Sequence, residues 1–407
     1  MSHAAAEEAA RASYGKLLAY LATWSRDVAA AEDALGDAFL EAVDTWPRTG
    51  VPGKPEAWLL TVARRRLIDG ARHAKVEDVA AAALRLVMDR ADQEASAQAT
   101  FPDERLKLLF VCAHPAIDEA ARTPLMLQTV LGLDAARIAS AFLVAPAAMG
   151  QQLVRVKAKI RDAGIHFEIP DRHELPSRLE SVLDAIYAAY GRGWEDVAGA
   201  DPRRQGLAEE AIWLGRLVTT LLPDEPEADG LVALMLHCEA RREARRDAGG
   251  GYVPLNLQDV ARWSRPMIEE AEARLLAASK AKRPGRFQLE AAIQSVHARR
   301  AVTGSTDWEA IALLYEGLVR LAPTTGARVG QAAALAEARG AEAGLAALEG
   351  IPKEDIGAYQ PYWALTAHLL KRLGRAGASR RAYERAVGLS EDPAVRGFLA
   401  GQSPSAG

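Results

Sequence analysis

Apolar positions along most of the chain recur at intervals of three and four residues, which is the spacing of one face of an α-helix. Runs that alternate apolar and β-branched residues with polar ones, as strands require, are scarce. Ala, Leu, Arg and Glu dominate the sequence, and these residues favour helices. The pattern therefore predicts an all-α protein.

Proline and glycine mark the ends of the predicted helices. The first three helices are expected over residues 4–25, 28–45 and 55–75, and the loop WPRTGVPGKP connects the second to the third. The Ala-rich, polar stretch that follows has no strong period and is interpreted as a linker. A second helical unit begins at FPDERLKLL and ends at the stretch EIPDRHELP.

The longest predicted region lies beyond this second unit. Its last hundred residues alternate short amphipathic helices with small turns. Tyr359–Ser390 fits one helix–turn–helix unit of the tetratricopeptide type, and Asp307–Pro323 fits the second half of another. We therefore divide the chain into residues 1–78, a linker at 79–101, residues 102–168, a helical extension at 169–300 and degenerate tetratricopeptide-like repeats at 301–407.

The third predicted helix changes character along its length. An apolar stripe runs through Leu60 and Leu67, and polar side chains gather beside and opposite it in the second half. Arginine forks match the geometry of phosphates. The polar face is either an ordinary solvated surface or a nucleic-acid-binding surface, and its members are Arg64, Arg65, Arg66, Asp69 and Arg72.

The segment LDAARIASAFLVAPAAMGQQLVRVKAKIRDAG has the pattern of a helix-turn-helix. LVAP forms the turn, and Pro146 suits the first position of the second helix. That helix has an apolar stripe at Met149, Leu153, Val156 and Ile160. Its opposite face holds Gln151, Gln152, Arg155 and Lys159. These residue types suit base edges and phosphates in a major groove, although an amphipathic core helix with a solvated face has the same pattern.

Charge and composition narrow the class of function. The net charge of −4 excludes a globally basic nucleic-acid coat but allows a local basic patch. No apolar run is long enough for a membrane span, and the N-terminus does not have the pattern of a signal peptide. The two cysteines lie far apart, which fits a reducing cytoplasm. No metal-ligand spacing, catalytic triad or phosphate loop occurs, so we expect neither an enzyme nor a cofactor.

Two of these segments resemble the extracytoplasmic-function sigma factors of bacteria. AAAEDALGDAFLEAVDTWPRTGVPGKPEAWLLTVARRRLID resembles their region 2, and TPLMLQTVLGLDAARIASAFLVAPAAMGQQLVRVKAKIRDAGI resembles their region 4. PDERLKLLFVCAHPAID and LLPDEPEADGLVALMLHCEARREAR resemble the subgroup with a long C-terminal, tetratricopeptide-like extension. The resemblance implies a sigma factor that binds core RNA polymerase and directs promoter-specific transcription initiation.

The resemblance also implies roles for individual residues. The helix that carries Asp33, Asp37 and Glu41 would dock on the clamp of the polymerase's largest subunit. The polar face of the third helix would meet the −10 element of promoter DNA, and the loop Trp46–Lys54 would capture a flipped-out base. Trp58 is either a base-stacking residue or, as we favour, a core residue. Gln151, Gln152, Arg155 and Lys159 would enter the major groove at the −35 element.

The chain departs from the family at several of these positions. Gly36 stands where the family has Gln, and Arg65 where it has Asn. Ala145 and Pro146 replace the usual Pro-Glu, and Gln152 replaces a common Arg. Two alternatives therefore stay open: an interaction scaffold with weakened polymerase binding, and a ligand-responsive helix-turn-helix repressor. The extension is expected to regulate activity by bracing the DNA-binding segments or by masking them, and bracing is favoured. Its repeats would hold a further protein or peptide.

Overall fold

The computed structural model describes residues 2–74, 103–142, 144–171, 173–195, 202–352 and 356–404. Across these ranges the chain is helical, and its one extended pairing is an isolated antiparallel bridge between Arg246 and Tyr252. The predicted all-α fold is confirmed. None of the helices in these ranges is long and apolar enough to cross a membrane. The predicted linker at 79–101 lies outside the described residues.

The chain divides into two compact units, Met1–Arg192 and Gly193–Gly407. The helices of unit 1 are α1 (Ser2–Ser25), α2 (Val28–Thr49), α3 (Pro55–Ala74), α4 (Arg105–Cys112), α5 (Glu119–Thr129), α6 (Ala135–Phe142), α7 (Pro146–Asp162) and α8 (Leu175–Glu195), the last of which runs just past the boundary. The helices of unit 2 are α9 (Pro202–Leu221), α10 (Pro226–Glu239), α11 (Arg265–Ser279), α12 (Arg286–Ala298), α13 (Arg300–Thr303), α14 (Trp308–Leu321), α15 (Thr325–Arg339), α16 (Ala341–Glu349), α17 (Gln360–Arg372), α18 (Ala376–Leu389) and α19 (Pro393–Gln402).

Helix α2 has a defined start and an unexpected end. The Asp27 carboxylate accepts hydrogen bonds from the backbone N–H groups of Ala29 (2.9 Å) and Ala30 (3.1 Å), which caps the first turn. The helix continues through Pro47 to Thr49, so the prediction that the loop starts at Trp46 is wrong. Trp46 is 1% exposed, and burial of this large ring offsets the cost of a proline in the last turn. The loop before α3 therefore starts at Gly50, where φ is 86°.

The segments predicted as regions 2 and 4 pack against each other within unit 1. Helix α1 contacts α4 and α5, and α2 contacts α7. One close approach is at Gly15, where a Cβ atom would lie 2.0 Å from the carbonyl oxygen of Val130. Only glycine fits there without a backbone shift. The region that would read the −35 element is therefore docked on the helices that would bind the −10 element.

Helix α8 belongs to unit 1, although the prediction assigned it to the C-terminal extension. The hydroxyl of Thr123 donates to the carbonyl of Ala185 (2.9 Å), and Arg178 donates to the carbonyl of Phe110 (2.7 Å). Its apolar face is buried. By contacts, the first compact unit ends at Arg192, whereas the predicted domain bounds at residues 168 and 169 stay a prediction.

Unit 2 is a layered array of helices. Helix α10 is buried on most sides and packs against α9, α11 and α12. From α14 to α19, each helix contacts the next one along the chain. The predicted unit Tyr359–Ser390 forms the hairpin of α17 and α18, with Gly374 in the turn at φ 71° and Leu369, Tyr383 and Ala386 buried. Its assignment to the tetratricopeptide class stays a prediction.

The last helix of unit 2 is tied to a distant loop of the same unit. Arg246 forms an ion pair with Asp392 at 2.6 Å, and Tyr252 meets Phe398 edge to face with ring centroids 5.5 Å apart. Asp392 also caps α19, since its carboxylate accepts from the N–H group of Ala394 at 2.8 Å. The loop that contains Arg246 and Tyr252 therefore holds the end of the helical array in place.

Candidate polymerase and promoter interface

Helix α2 presents an acidic stripe to solvent. Its opposite face, which includes Leu35, Ala38 and Trp46, is buried, and this burial turns Asp33 and Asp37 outward. Glu41 continues the stripe and is half-buried. The stripe borders a shallow groove of about 590 Å³ that is lined by Glu32, Asp33, Gly36, Asp37, Phe39, Leu40 and Val43. We call this surface the α2 groove.

Leu40 is a functional candidate that the sequence analysis missed. Its side chain is 68% exposed in the α2 groove, between the acidic residues. An exposed leucine one helical turn after Asp37 gives the stripe an apolar centre with charged flanks, which is the composition of a protein-binding surface. The helical period places Leu40 on the same solvent-facing side of α2 as Asp33 and Asp37, so this position was predictable from the sequence.

Gly36 lies in the α2 groove and is exposed. A Cβ atom built there would meet nothing within 4 Å, so the surrounding structure does not require glycine. A glycine inside a helix costs about 1 kcal/mol of stability relative to alanine. Gly36 therefore weakens α2 and leaves a gap in the middle of the stripe.

The polar face of α3 is only partly a surface. Arg65, Arg66 and Asp69 are exposed, and Arg66 forms an ion pair with Glu41 of α2 at 3.1 Å. The Arg64 side chain, however, is buried at 7% exposure, donates to the hydroxyl of Tyr20 and lies over that ring at 5.0 Å from its centroid. The placement of Arg64 on a DNA-binding face is therefore corrected to a core role. The side chain of Arg72 lies outside the described residues.

Trp58 is half-buried and packs against the buried Trp46, which fits the favoured interpretation as a packing residue. Its ring meets that of Trp46 edge to face, with centroids 5.5 Å apart and planes inclined at 64°. This contact fixes the end of α2 against the start of α3.

Helix α7 follows α6 after a short turn and starts with Pro146 in its first turn. Met149, Leu153 and Ile160 are buried as predicted, whereas Val156 is half-buried. Gln151, Arg155 and Lys159 are exposed at intervals of one turn, and Gln152 is half-buried. Val154 is 64% exposed on the same helix and was not singled out in the sequence; an apolar side chain there suits contact with a thymine methyl group.

A buried ion pair joins α7 to α2. The ammonium group of Lys157, a residue 7% exposed, donates to the carboxylate of Glu32 and to Oε1 of Gln128 (3.1 Å). Glu32 also accepts from the hydroxyl of Tyr14 at 3.5 Å. Burial and the neighbouring Glu32 carboxylate raise the pKa of Tyr14. Since Glu32 lines the α2 groove, one carboxylate serves both the groove and the docking of the candidate recognition helix.

Reactive chemistry is not evident in the described part of the chain. Burial raises the pKa of the Cys112 thiol to about 12, which keeps it protonated and unreactive. Its sulfur lies 3.4 Å from the hydroxyl of Thr129. Over the described ranges, no group of three or more His, Cys, Asp or Glu side chains is placed to hold a metal ion.

Comparisons with known protein families match two segments of the chain, one near its N-terminal end and one near its middle. Residues 10–77 match the family model of sigma-70 region 2, and residues 178–279 match a family of unknown function, DUF6596. An uncharacterized protein of Rhizobium meliloti (strain 1021) is 40% identical over 390 residues, which cover 95% of this chain and 91% of that protein. No solved structure matches the chain. The chain therefore belongs to the same family as the Rhizobium protein and carries a sigma-70 region 2 domain at its N-terminal end.

Proposed function

We propose that the protein is a sigma factor that binds core RNA polymerase and directs transcription from specific promoters. Sigma-70 region 2 is the part of such factors that contacts core polymerase and the −10 promoter element. The observation that carries the proposal is the exposed α2 groove inside this matched segment. The proposal includes membership of the extracytoplasmic-function group, which rests on the sequence resemblance, and it assigns no enzymatic activity to the chain.

The α2 groove is the proposed polymerase-binding surface. Asp33 and Asp37 supply negative charge that steers the approach of a basic partner. Leu40 supplies an apolar anchor whose burial stabilises the complex by about 1.5–3 kcal/mol. Glu41 is held by Arg66 at 3.1 Å, and this contact couples the polymerase-binding helix to the helix proposed for the −10 element.

The exposed part of α3 is the proposed −10 surface. Arg65 and Arg66 offer cationic contacts to an unpaired strand, and Asp69 offers an acceptor to bases. Contacts of this kind offset a few kcal/mol of unstacking when the duplex opens. Arg64 contributes indirectly, because its contact with Tyr20 fixes α3 on α1.

Helix α7 is proposed to bind the −35 element of promoter DNA in its major groove. Gln151, Gln152 and Arg155 suit base edges, and Lys159 suits a phosphate.

The extension is proposed to brace the DNA-binding unit, with its repeats available to a protein or peptide. The repressor alternative leaves the region 2 match unexplained. The scaffold alternative keeps one observation in its favour, the gap that Gly36 leaves in the α2 groove.

Polymerase binding tests the proposal directly. We expect Asp37→Arg to lower the affinity for core polymerase at least tenfold, or about 1.4 kcal/mol, because it reverses the charge at the centre of the stripe. Gly36→Gln should raise the affinity, since it closes the gap and strengthens the helix. Glu168→Arg, an equal charge change at an exposed position outside α2, is the control. Biolayer interferometry with purified core polymerase measures all three, and an Asp37→Arg variant that binds like the wild type would count against the sigma-factor proposal.

Base recognition by α7 has a separate test. Arg155→Ala is expected to cost about 1–3 kcal/mol at one −35 base pair and to relax specificity there. Lys159→Ala is expected to weaken binding to all sequences equally and to lower the slope of log affinity against log salt by about 0.9. Competition binding with single-base-pair variants of a bound promoter separates the two effects. Equal and sequence-independent losses in both variants would mean that another face of α7 meets the DNA.

A further inference from the structure

A strongly basic segment surrounds the turn between α17 and α18. Its fifteen residues, 371–385, hold six cations and one carboxylate, Glu384, in a chain whose net charge is −4. Neither the region 2 match nor the DUF6596 match covers it. The cations are Lys371, Arg372, Arg375, Arg380, Arg381 and Arg385.

Three of these arginines form no ion pair with any carboxylate of the described residues. The exposed side chains of Arg375 and Arg381 have no hydrogen bond or ion pair within the described ranges. Arg385 is exposed and donates to the carbonyl of Gly357 at 3.0 Å, and none of the described carboxylates pairs with it. We call the exposed surface of Arg375, Arg381 and Arg385 the α18 basic face.

Three other exposed arginines of unit 2 lie in ion pairs with carboxylates. Arg265 pairs with Glu269 at 3.0 Å, Arg339 pairs with Glu309 at 3.1 Å, and Arg320 pairs with Glu316. In each pair, a nearby carboxylate offsets the charge of the arginine. What distinguishes the segment 371–385 is its density of basic residues, six in fifteen positions.

Small residues surround the α18 basic face. Ala376, Gly377 and Gly388 are exposed on the same helix, and a Cβ atom at Gly388 would meet nothing within 4 Å. Glycines weaken a helix, and here the buried Ala382 and Tyr383 hold it in place. The surface beside the arginines therefore carries little side-chain bulk, and the guanidinium of Arg381 lies 3.9 Å from where a Cβ atom of Gly377 would be.

The chemistry of this face favours nucleic acid over protein. None of the described large apolar side chains of α17, α18 or α19 is strongly exposed, so the surface lacks the apolar anchors on which protein interfaces depend. A DNA duplex needs no such anchor and carries one negative charge per about 1.7 Å of its axis. Arginine binds phosphate oxygens through two parallel N–H groups, and five of the six cations in the segment are arginines.

We propose that the α18 basic face binds the phosphate backbone of double-stranded DNA without reading its sequence. This inference rests on the proposed function, because a promoter-bound chain holds unit 2 near the duplex through its covalent link. A tethered second contact raises the overall affinity without any new sequence specificity. The C-terminal array thereby adds non-specific DNA affinity to a chain whose net charge is negative.

The test is the salt dependence of DNA binding by the full chain. The triple variant Arg375→Ala/Arg381→Ala/Arg385→Ala should lower the slope of log affinity against log salt by about 2.7, or 0.9 per lost phosphate contact. A control variant removes the same amount of charge from paired arginines: Arg265→Ala/Arg320→Ala/Arg339→Ala. Fluorescence anisotropy with a labelled duplex that contains no promoter provides the measurement, and circular dichroism checks that both variants fold.

Each outcome decides the proposal. A reduced slope in the triple variant together with a wild-type slope in the control supports it. A wild-type slope in the triple variant overturns it, as does a wild-type chain with no affinity for the duplex at low salt. An unchanged slope with weakened binding to core polymerase would assign the face to an acidic protein surface instead. Failure of the sigma-factor proposal would appear in the Asp37→Arg polymerase assay, which this duplex measurement does not involve.

Discussion

Lys157→Ala is expected to lower the free energy of unfolding of unit 1 by about 3 kcal/mol or more. The lysine is 7% exposed, and its removal leaves the Glu32 carboxylate in a largely buried position with only the hydroxyl of Tyr14 at 3.5 Å. An unpaired buried charge costs about 3–5 kcal/mol, far more than the loss of an exposed ion pair. Hydrogen exchange of peptides from α2 and α7 in the full chain reports the change where the two helices meet.

The control lies one helical turn away on the same helix. Arg161 pairs with Asp162 at 3.0 Å and with Asp27 at 3.8 Å, but its side chain is 52% exposed. Arg161→Ala should therefore cost about 0–1 kcal/mol. The double variant Lys157→Met/Glu32→Gln removes both charges and should recover most of the stability that Lys157→Ala loses. If Lys157→Ala and Arg161→Ala cost the same, the buried pair does not hold α7 on α2.

A fragment of residues 1–171 is expected not to fold stably, whereas a fragment of residues 1–192 is expected to fold. The shorter fragment lacks α8, whose buried apolar side chains include Leu179, Val182, Leu183, Ile186 and Tyr190. Each large apolar side chain contributes about 1.5–3 kcal/mol by burial, and a domain is stable by only about 5–15 kcal/mol in total. Thermal melts followed by circular dichroism should show a cooperative transition for the longer fragment alone. Similar melts for both would mean that α8 is not part of the unit 1 core.

The longer fragment also separates the two roles considered for the extension. If unit 2 braces the DNA-binding helices, residues 1–192 will fold but will not support promoter-directed transcription. If unit 2 masks them, the fragment will be more active than the full chain. A fragment as active as the full chain would mean that the extension serves another partner.

Local signals were sufficient to predict the first three helices of unit 1. The period of apolar residues and the positions of Pro and Gly placed α1, α2 and α3 within a few residues of their observed ends, because both signals act within one or two turns. The end of α2 was missed since burial of Trp46 against Trp58 overrides the proline that follows it. That contact joins two helices, so the sequence of α2 alone does not reveal it.

The candidate site was predictable to the extent that exposure follows the helical period. Asp33, Asp37, Arg65, Arg155 and Lys159 are exposed, as the opposite apolar stripes required. Arg64 and Lys157 were not understood from the sequence, because their partners lie 44 and 125 residues away. The sequence pattern of a basic residue next to an apolar stripe is the same whether its side chain faces solvent or contacts a tyrosine or carboxylate that is distant in sequence. The packing of α8 on α4 and α5 was not predicted for the same reason, since its partners in those helices lie 62 and 68 residues away.

The measurement that tests the central claim most directly is transcription by core RNA polymerase supplied with the full chain. Genomic DNA from the source organism is the template, and the 5′ ends of the transcripts are mapped with and without the chain. The account predicts new, discrete start sites that share two upstream sequence elements and that are lost with Asp37→Arg. A folded wild-type chain that produces no new start sites, or an Asp37→Arg variant that produces the same ones, would contradict it.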